Sequence, residues 1–248
     1  MIVTGEGNDT IAAMGVNVVI SGAGNDKITL GWGNDWVQAS KGNDVIDAGG
    51  GANLFAFNKG DGADTVVNSF WGADTISLGG GIKYADLMLS KSGNDLVLRG
   101  AGSDRITLKD WYLSAQNHGI GKLQVLTTGG DFNATSASPL TNKAVTVFDF
   151  DKLVKSFDAA RAATTGAAIG WTVSGSLGAA QLHTTAPITL GYVNPWAALQ
   201  AGTMLLDKAP TAAINPIGTT TVQSVDQLLF AALNATGNSN RAAGWMQA

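Results

Sequence analysis

Apolar residues return along the front of the chain at a nearly fixed interval. Ile11, Ile20, Ile28, Val37, Ile46 and Phe55 are separated by 9, 8, 9, 9 and 9 residues. A polar, Gly-rich run lies between each pair. The pattern reads as a tight turn followed by a short strand, with one inward side chain per repeat, because successive strand side chains point to opposite faces. After Phe57 the phase breaks. Residues 58–66 and 71–76 look like two imperfect further repeats. Ala85–Leu98 sets two apolar strands around Ser92-Gly93-Asn94-Asp95, a β-hairpin pattern. Gly102–Leu108 supplies a third strand, and Trp111-Tyr112-Leu113 a closing aromatic cluster. Further on, Phe150, Leu153, Val154 and Phe157 recur at helical spacing and predict a helix over Val147–Ala163. Asp149 or Asp151 would cap it.

The polar positions carry a second pattern in the same phase. Gly-Asn-Asp occurs at 7–9, 24–26, 33–35, 42–44 and 93–95. Asp26, Asp35 and Asp44 are nine residues apart, and Asn53 continues the series. Of 19 acidic residues only Glu6 is Glu. That bias fits a short carboxylate built into tight turns. Up to residue 110, twelve Asp and Glu6 stand against six Lys and two Arg, whereas the remainder is nearly neutral and rich in Ala and Thr.

The copies Ser21-Gly22-Ala23-Gly24-Asn25-Asp26-Lys27-Ile28-Thr29 and Leu30-Gly31-Trp32-Gly33-Asn34-Asp35-Trp36-Val37-Gln38 follow Gly-Gly-x-Gly-x-Asp-x-U-x. The front of the chain therefore resembles the RTX, or haemolysin-type calcium-binding, repeat family. The resemblance implies a mainly β fold, a calcium-binding parallel β-roll in which two nonapeptides make one coil. Ile11, Ile28 and Ile46 should then line one inner face, and Ile20, Val37 and Phe55 the other. Val18 falls in the Asp position of the degenerate second repeat.

Calcium prefers six to eight oxygen ligands. Gly residues in the turns leave carbonyls free to face an ion, and the Asp adds a hard carboxylate. The candidate ligands are the turn residues Gly5, Gly7 and Asp9; Gly22, Gly24 and Asp26; Gly31, Gly33 and Asp35; Gly42 and Asp44; and Gly49, Gly51 and Asn53. Asp64 and Asp74 extend the set into the imperfect repeats. Sites are expected between the Asp9 and Asp26 turns, the Asp26 and Asp44 turns, and the Asp35 and Gly49–Asn53 turns. The degenerate repeat should leave its site with the Asp35 turn weak or absent. An EF-hand is disfavoured, since its loop closes with a bidentate Glu.

Stacked carboxylates repel in the absence of metal, by roughly 1 kcal/mol at about 5 Å in water and about 3 kcal/mol at an effective dielectric of 20. Ordering glycine adds roughly 0.5–1 kcal/mol per residue relative to Ala. The front block is thus expected to fold on meeting calcium, as metal binding couples to folding. Extracellular calcium modules bind at about 10⁻⁴–10⁻³ M.

Three regions are expected: a roll over 1–57, imperfect repeats and a capping β region with its hairpin over 58–127, and a mixed, partly helical region over 128–248. Residues 58–127 resemble the region that follows the repeats in RTX exoproteins and closes the roll, with Trp71 and Trp111 as core residues. Leu153–Ala163 and Val225–Leu233 are similar to C-terminal segments of the same exoproteins. That similarity implies an uncleaved signal for a type I secretion machinery, and a secreted, extracellular or cell-surface bacterial protein. Residues 164–224 match nothing comparable, and Pro195, Pro210 and Pro216 mark them as loops.

The catalytic inventory is poor. There are no Cys and two His, His118 and His183. No His-Glu-x-x-His is present, and Ser174-Gly175-Ser176-Leu177-Gly178 fails Gly-x-Ser-x-Gly. His118 reads as a loop residue. A net charge of −4 argues against a nucleic-acid partner, and no apolar run is long enough for a membrane span. Met1–Gly5 enters a repeat at once, without the basic and apolar stretches of a Sec signal. Two functions follow: a calcium-driven folding and secretion module without activity of its own, or a self-associating surface-layer, filament or adhesin subunit.

Overall fold

The computed structural model describes residues 2–67, 74–126, 135–142, 145–164 and 170–182. Each nonapeptide folds as a turn and a short strand, and alternate strands part into two sheets. One sheet stacks β1 (Ile2–Val3), β3 (Val18–Ile20), β5 (Trp36–Gln38), β7 (Leu54–Asn58) and β9 (Asp74–Gly79) in parallel. The other stacks β2 (Thr10–Ala13), β4 (Lys27–Leu30), β6 (Val45–Asp47) and β8 (Ala63–Val66), also in parallel. The chain is a mainly β, parallel solenoid.

The stack continues past β8 and β9. The hairpin strands β10 (Met88–Ser92) and β11 (Asp95–Arg99) lead into β12 (Arg105–Leu108), which lies antiparallel to β11 and parallel to β8. Strand β13 (Ile120–Leu126) lies parallel to β9, and β14 (Val145–Asp149) closes that sheet antiparallel to β13. Strand β15 (Trp171–Thr172) pairs with β10 and ends the other. The parallel sheets thus finish in antiparallel strands.

Between the sheets runs a ladder of inward side chains. Ile11, Ile28, Ile46 and Val66 are in register on one side. Val19, Val37, Phe55 and Ile76 are in register on the other, and Leu123 extends the row. All are buried. Val19 takes the inner place expected of Ile20. The reason lies in the repeat before β3, which is one residue short: Ile11 to Val19 is eight residues, where Val19 to Ile28 and Ile28 to Val37 are nine. Asn17, and not Val18, then occupies the Asp position of that repeat. Val18-Val19-Ile20 is β-branched throughout, so composition alone does not choose its inward residue.

Helix α1 (Phe150–Ala163) begins later than predicted, because Val147–Asp149 pair with Lys122–Gln124 as strand. The Asp149 carboxylate caps the helix by accepting the Lys152 N–H at 3.0 Å. Phe150, Leu153, Val154 and Phe157 are buried and join the roll's core. Trp111 is 1% exposed and meets Phe150 edge-on at 5.7 Å. Tyr112 donates its hydroxyl to Asp158 at 3.0 Å, whereas Leu113 turns to solvent instead of joining the cluster. Trp71, His183 and Val225–Leu233 lie outside the described residues.

Candidate metal centre

The stacking places the Asp position of each coil over that of the coil before. Asp9 donates its main-chain N–H to Asp26 Oδ1 at 2.8 Å, Asp26 to Asp44 Oδ1 at 2.7 Å, and Asp44 to Asp64 Oδ1 at 3.0 Å. The opposite edge repeats the device. Asn17 donates to Asp35 Oδ1 at 2.6 Å, Asp35 to Asn53 Oδ1 at 2.9 Å, and Asn53 to Asp74 Oδ1 at 2.8 Å. The candidate carboxylates thus form two columns, one of Asp9, Asp26, Asp44 and Asp64, the other of Asn17, Asp35, Asn53 and Asp74.

Only one oxygen of each carboxylate is used this way. The Oδ2 atoms of Asp9, Asp26, Asp35 and Asp44 are buried and accept no hydrogen bond. Burying an ionised oxygen without a partner costs about 1–3 kcal/mol or more. A hard cation between the turns is the group this donor set fits. Among the described residues no three acidic or His side chains converge on one point. The candidate donors per gap are two side chains from stacked turns together with main-chain carbonyls.

The glycines keep those carbonyls close. A Cβ on Gly24 would overlap the Gly7 carbonyl oxygen, and one on Gly51 would overlap the Gly33 oxygen. Both have φ well into the positive region, at +137° and +132°. Gly22 stands in the same way against the Gly5 carbonyl, Gly42 against Gly24, and Gly49 against Gly31.

Burial raises the pKa of four carboxyls in and beside the two columns, Asp35, Asp44, Asp61 and Asp64. Asp35 is held above the usual carboxylate range by desolvation, opposed by hydrogen bonds from Asn17. Asp44 and Asp64 are also raised, first by burial and then by neighbouring negative charge, from Asp26 for Asp44 and from Asp44 and Asp61 for Asp64. Asp61 is pushed up to about 7 by burial, with the charges of Asp104 and Asp44 adding to it.

Three features escaped the sequence reading. The Asn before each Asp forms its own ladder, running the other way: Asn8 Oδ1 accepts the Asn25 N–H at 2.7 Å, Asn25 Oδ1 that of Asn43 at 2.8 Å, and Asn34 Oδ1 that of Ala52 at 2.9 Å. The recurrence of Gly-Asn-Asp, where the general repeat tolerates any residue before Asp, was the signal. Asp61 and Asp104 close the last turn, accepting the main-chain N–H groups of Asn58 and Gly60, both at 2.7 Å. The fifth Gly-Asn-Asp does not join a column. Its Asp95 accepts the Asp110 N–H at 2.8 Å and pairs with Lys109 at 3.2 Å.

Comparison with known proteins agrees with this geometry. The model of the RTX calcium-binding nonapeptide repeat matches residues 1–28, 13–37 and 29–66. Residues 1–66 are RTX repeats. This block is a calcium-binding β-roll. No curated protein matches the chain. Among solved structures, the AlgE6R3 subunit of the Azotobacter vinelandii mannuronan C5-epimerase is similar over 54% of this chain and 88% of that one, at 21% identity and a TM-score of 0.35. Among the described residues no helix is long and apolar enough to cross a membrane.

Proposed function

We propose that the chain is a calcium-driven folding module, carried out of the cell by a type I secretion machinery and ordered by extracellular calcium, with no catalytic activity of its own. The observation that carries the reading is the column of half-used carboxylates. Asp26, Asp35 and Asp44 each give one oxygen to the stack and keep the other buried and unmatched. Bound calcium supplies the positive charge these oxygens lack. Asp9, Asp26, Asp44 and Asp64 would hold it on one edge, and Asp35, Asn53 and Asp74 on the other, with carbonyls from the turn glycines. The main-chain N–H groups fix each carboxylate's orientation, and the glycines let the turns approach closely enough to share an ion.

Export is supported by the likeness of Leu153–Ala163 and Val225–Leu233 to exoprotein C-terminal segments. The test fuses a passenger ahead of the full chain in a host with a type I channel. Export of this fusion, and retention of a fusion truncated after residue 127, is expected. Equal retention of both would remove the secretion claim.

A second reading, self-association into an extracellular structural subunit, draws on the surface. Val3, Met14 and Trp32 are exposed, the last two at 84% and 70%. Exposed apolar groups favour association. Light scattering after size exclusion in calcium separates the readings: a monomer at high concentration supports the module, a polymer the subunit.

A further inference from the structure

One gap between stacked turns is built unlike the others. In the Asp9–Asp26 gap, Asp26 Oδ1 accepts the Asp9 main-chain N–H, and Asp9 itself brings a second carboxylate. In the corresponding gap on the opposite edge the lower residue is Asn17. Its main-chain N–H donates to Asp35 Oδ1 at 2.6 Å, and its side chain donates as well. Asn17 Nδ2 reaches Asp35 Oδ1 at 3.0 Å and the Gly15 carbonyl oxygen at 2.6 Å.

Those two acceptors are a turn carbonyl and a stacked carboxylate, the kinds of oxygen that a cation between turns would take. An amide NH₂ has two donors and no negative charge. It satisfies such oxygens from within the chain and presents hydrogens where a cation needs lone pairs.

We propose that the Asn17 side-chain amide takes the place of the ion in this gap, so that the Gly15–Asn17 and Gly33–Asp35 turns are clamped together without calcium. The inference rests on the calcium reading of the other gaps. The edge carrying Asn17 therefore starts with a metal-independent side-chain clamp beside the main-chain bond, while the Asp9 edge has only the main-chain bond until the ion arrives. Asp35 Oδ2 stays buried without a hydrogen bond.

The test counts calcium ions bound per full chain by titration calorimetry and equilibrium dialysis, for the wild type, Asn17→Asp and Asn17→Ala. Asn17→Asp restores a carboxylate and should bind one calcium more than the wild type. Asn17→Ala removes the clamp without removing a ligand, and should bind the same number as the wild type. An unchanged count in a folded Asn17→Asp protein overturns the proposal. So does a count lowered by one in Asn17→Ala, which would make Asn17 a ligand. If Asn17→Asp does not fold, the Asn17→Ala count decides alone. A wild type that binds no calcium at all overturns the underlying calcium reading, a result distinct from either variant's failure.

Discussion

Asp26 stands over Asp9, with its Oδ1 accepting the Asp9 main-chain N–H at 2.8 Å and its Oδ2 buried without a hydrogen bond. The first contact is part of the backbone architecture and needs no ion. The second oxygen is a liability until a cation arrives. One side chain thus joins fold and metal response, and Asp35 and Asp44 repeat the arrangement.

Asp44 is an interior member of its column, flanked by Asp26 and Asp64. Asp44→Asn should raise the calcium concentration at the folding midpoint about tenfold, equivalent to about 1.4 kcal/mol. Asp95→Asn is the matched control, since Asp95 pairs with Lys109 in the hairpin region. Its midpoint should stay at the wild-type value in the same circular dichroism titration.

Acid should favour the metal-free roll. Asp44, Asp61 and Asp64 have pKa values raised in the folded state, Asp61 to about 7 from 3.8. Well below pH 3.8 these groups are protonated in both states and impose no penalty. As pH rises from 3.8 toward their folded values, the unfolded chain ionises while the folded groups stay protonated, and the roll loses up to about 1.4 kcal/mol per pH unit per group, a loss that levels off above the folded values. In EDTA, β-structure measured by circular dichroism should therefore be greater near pH 5 than at pH 8. Greater metal-free structure at pH 8 would contradict the burial of these carboxyls.

Two glycines separate close approach from backbone conformation alone. Gly7 has φ +110° with open space where a Cβ would be, whereas Gly24 has φ +137° and faces the Gly7 carbonyl oxygen. Gly7→Ala should cost about 1–2 kcal/mol, the ordinary expense of a left-handed residue. Gly24→Ala should cost about 1–3 kcal/mol more through overpacking, and should weaken calcium binding as the turns separate. Chemical denaturation in saturating calcium measures the difference.

The Asn ladder is structural. Asn25→Ala removes the acceptor of the Asn43 N–H and should cost about 0.5–1.5 kcal/mol in calcium-saturated stability. The number of calcium ions bound should not change. A lower count would place Asn25 among the ligands.

The nine-residue period made the strands, the inner ladder of Ile11, Ile28 and Ile46, and the column of Asp9, Asp26 and Asp44 legible, because each depends on spacing within adjacent coils. What it hid depends on geometry that spacing does not carry. The short repeat before β3 moved the frame by one residue, so Val19 and Asn17 took the places read as Ile20 and Val18. The return of β12 and β13 to the parallel stack pairs Thr107 with Thr65 and Leu123 with Ile76 across some forty residues, which no local pattern records. Val147–Asp149 carry a helix-compatible pattern, yet pairing with β13 makes them strand. Tertiary hydrogen bonding outweighs local propensity there.

The most direct test is far-UV circular dichroism of the full chain during a calcium titration from EDTA at neutral pH. A cooperative gain of β-structure at sub-millimolar to millimolar calcium is expected if the buried Oδ2 atoms of Asp9, Asp26, Asp35 and Asp44 require the ion. A spectrum already fully β in EDTA and unmoved by calcium would mean that the turns stack without it, and would contradict the folding switch.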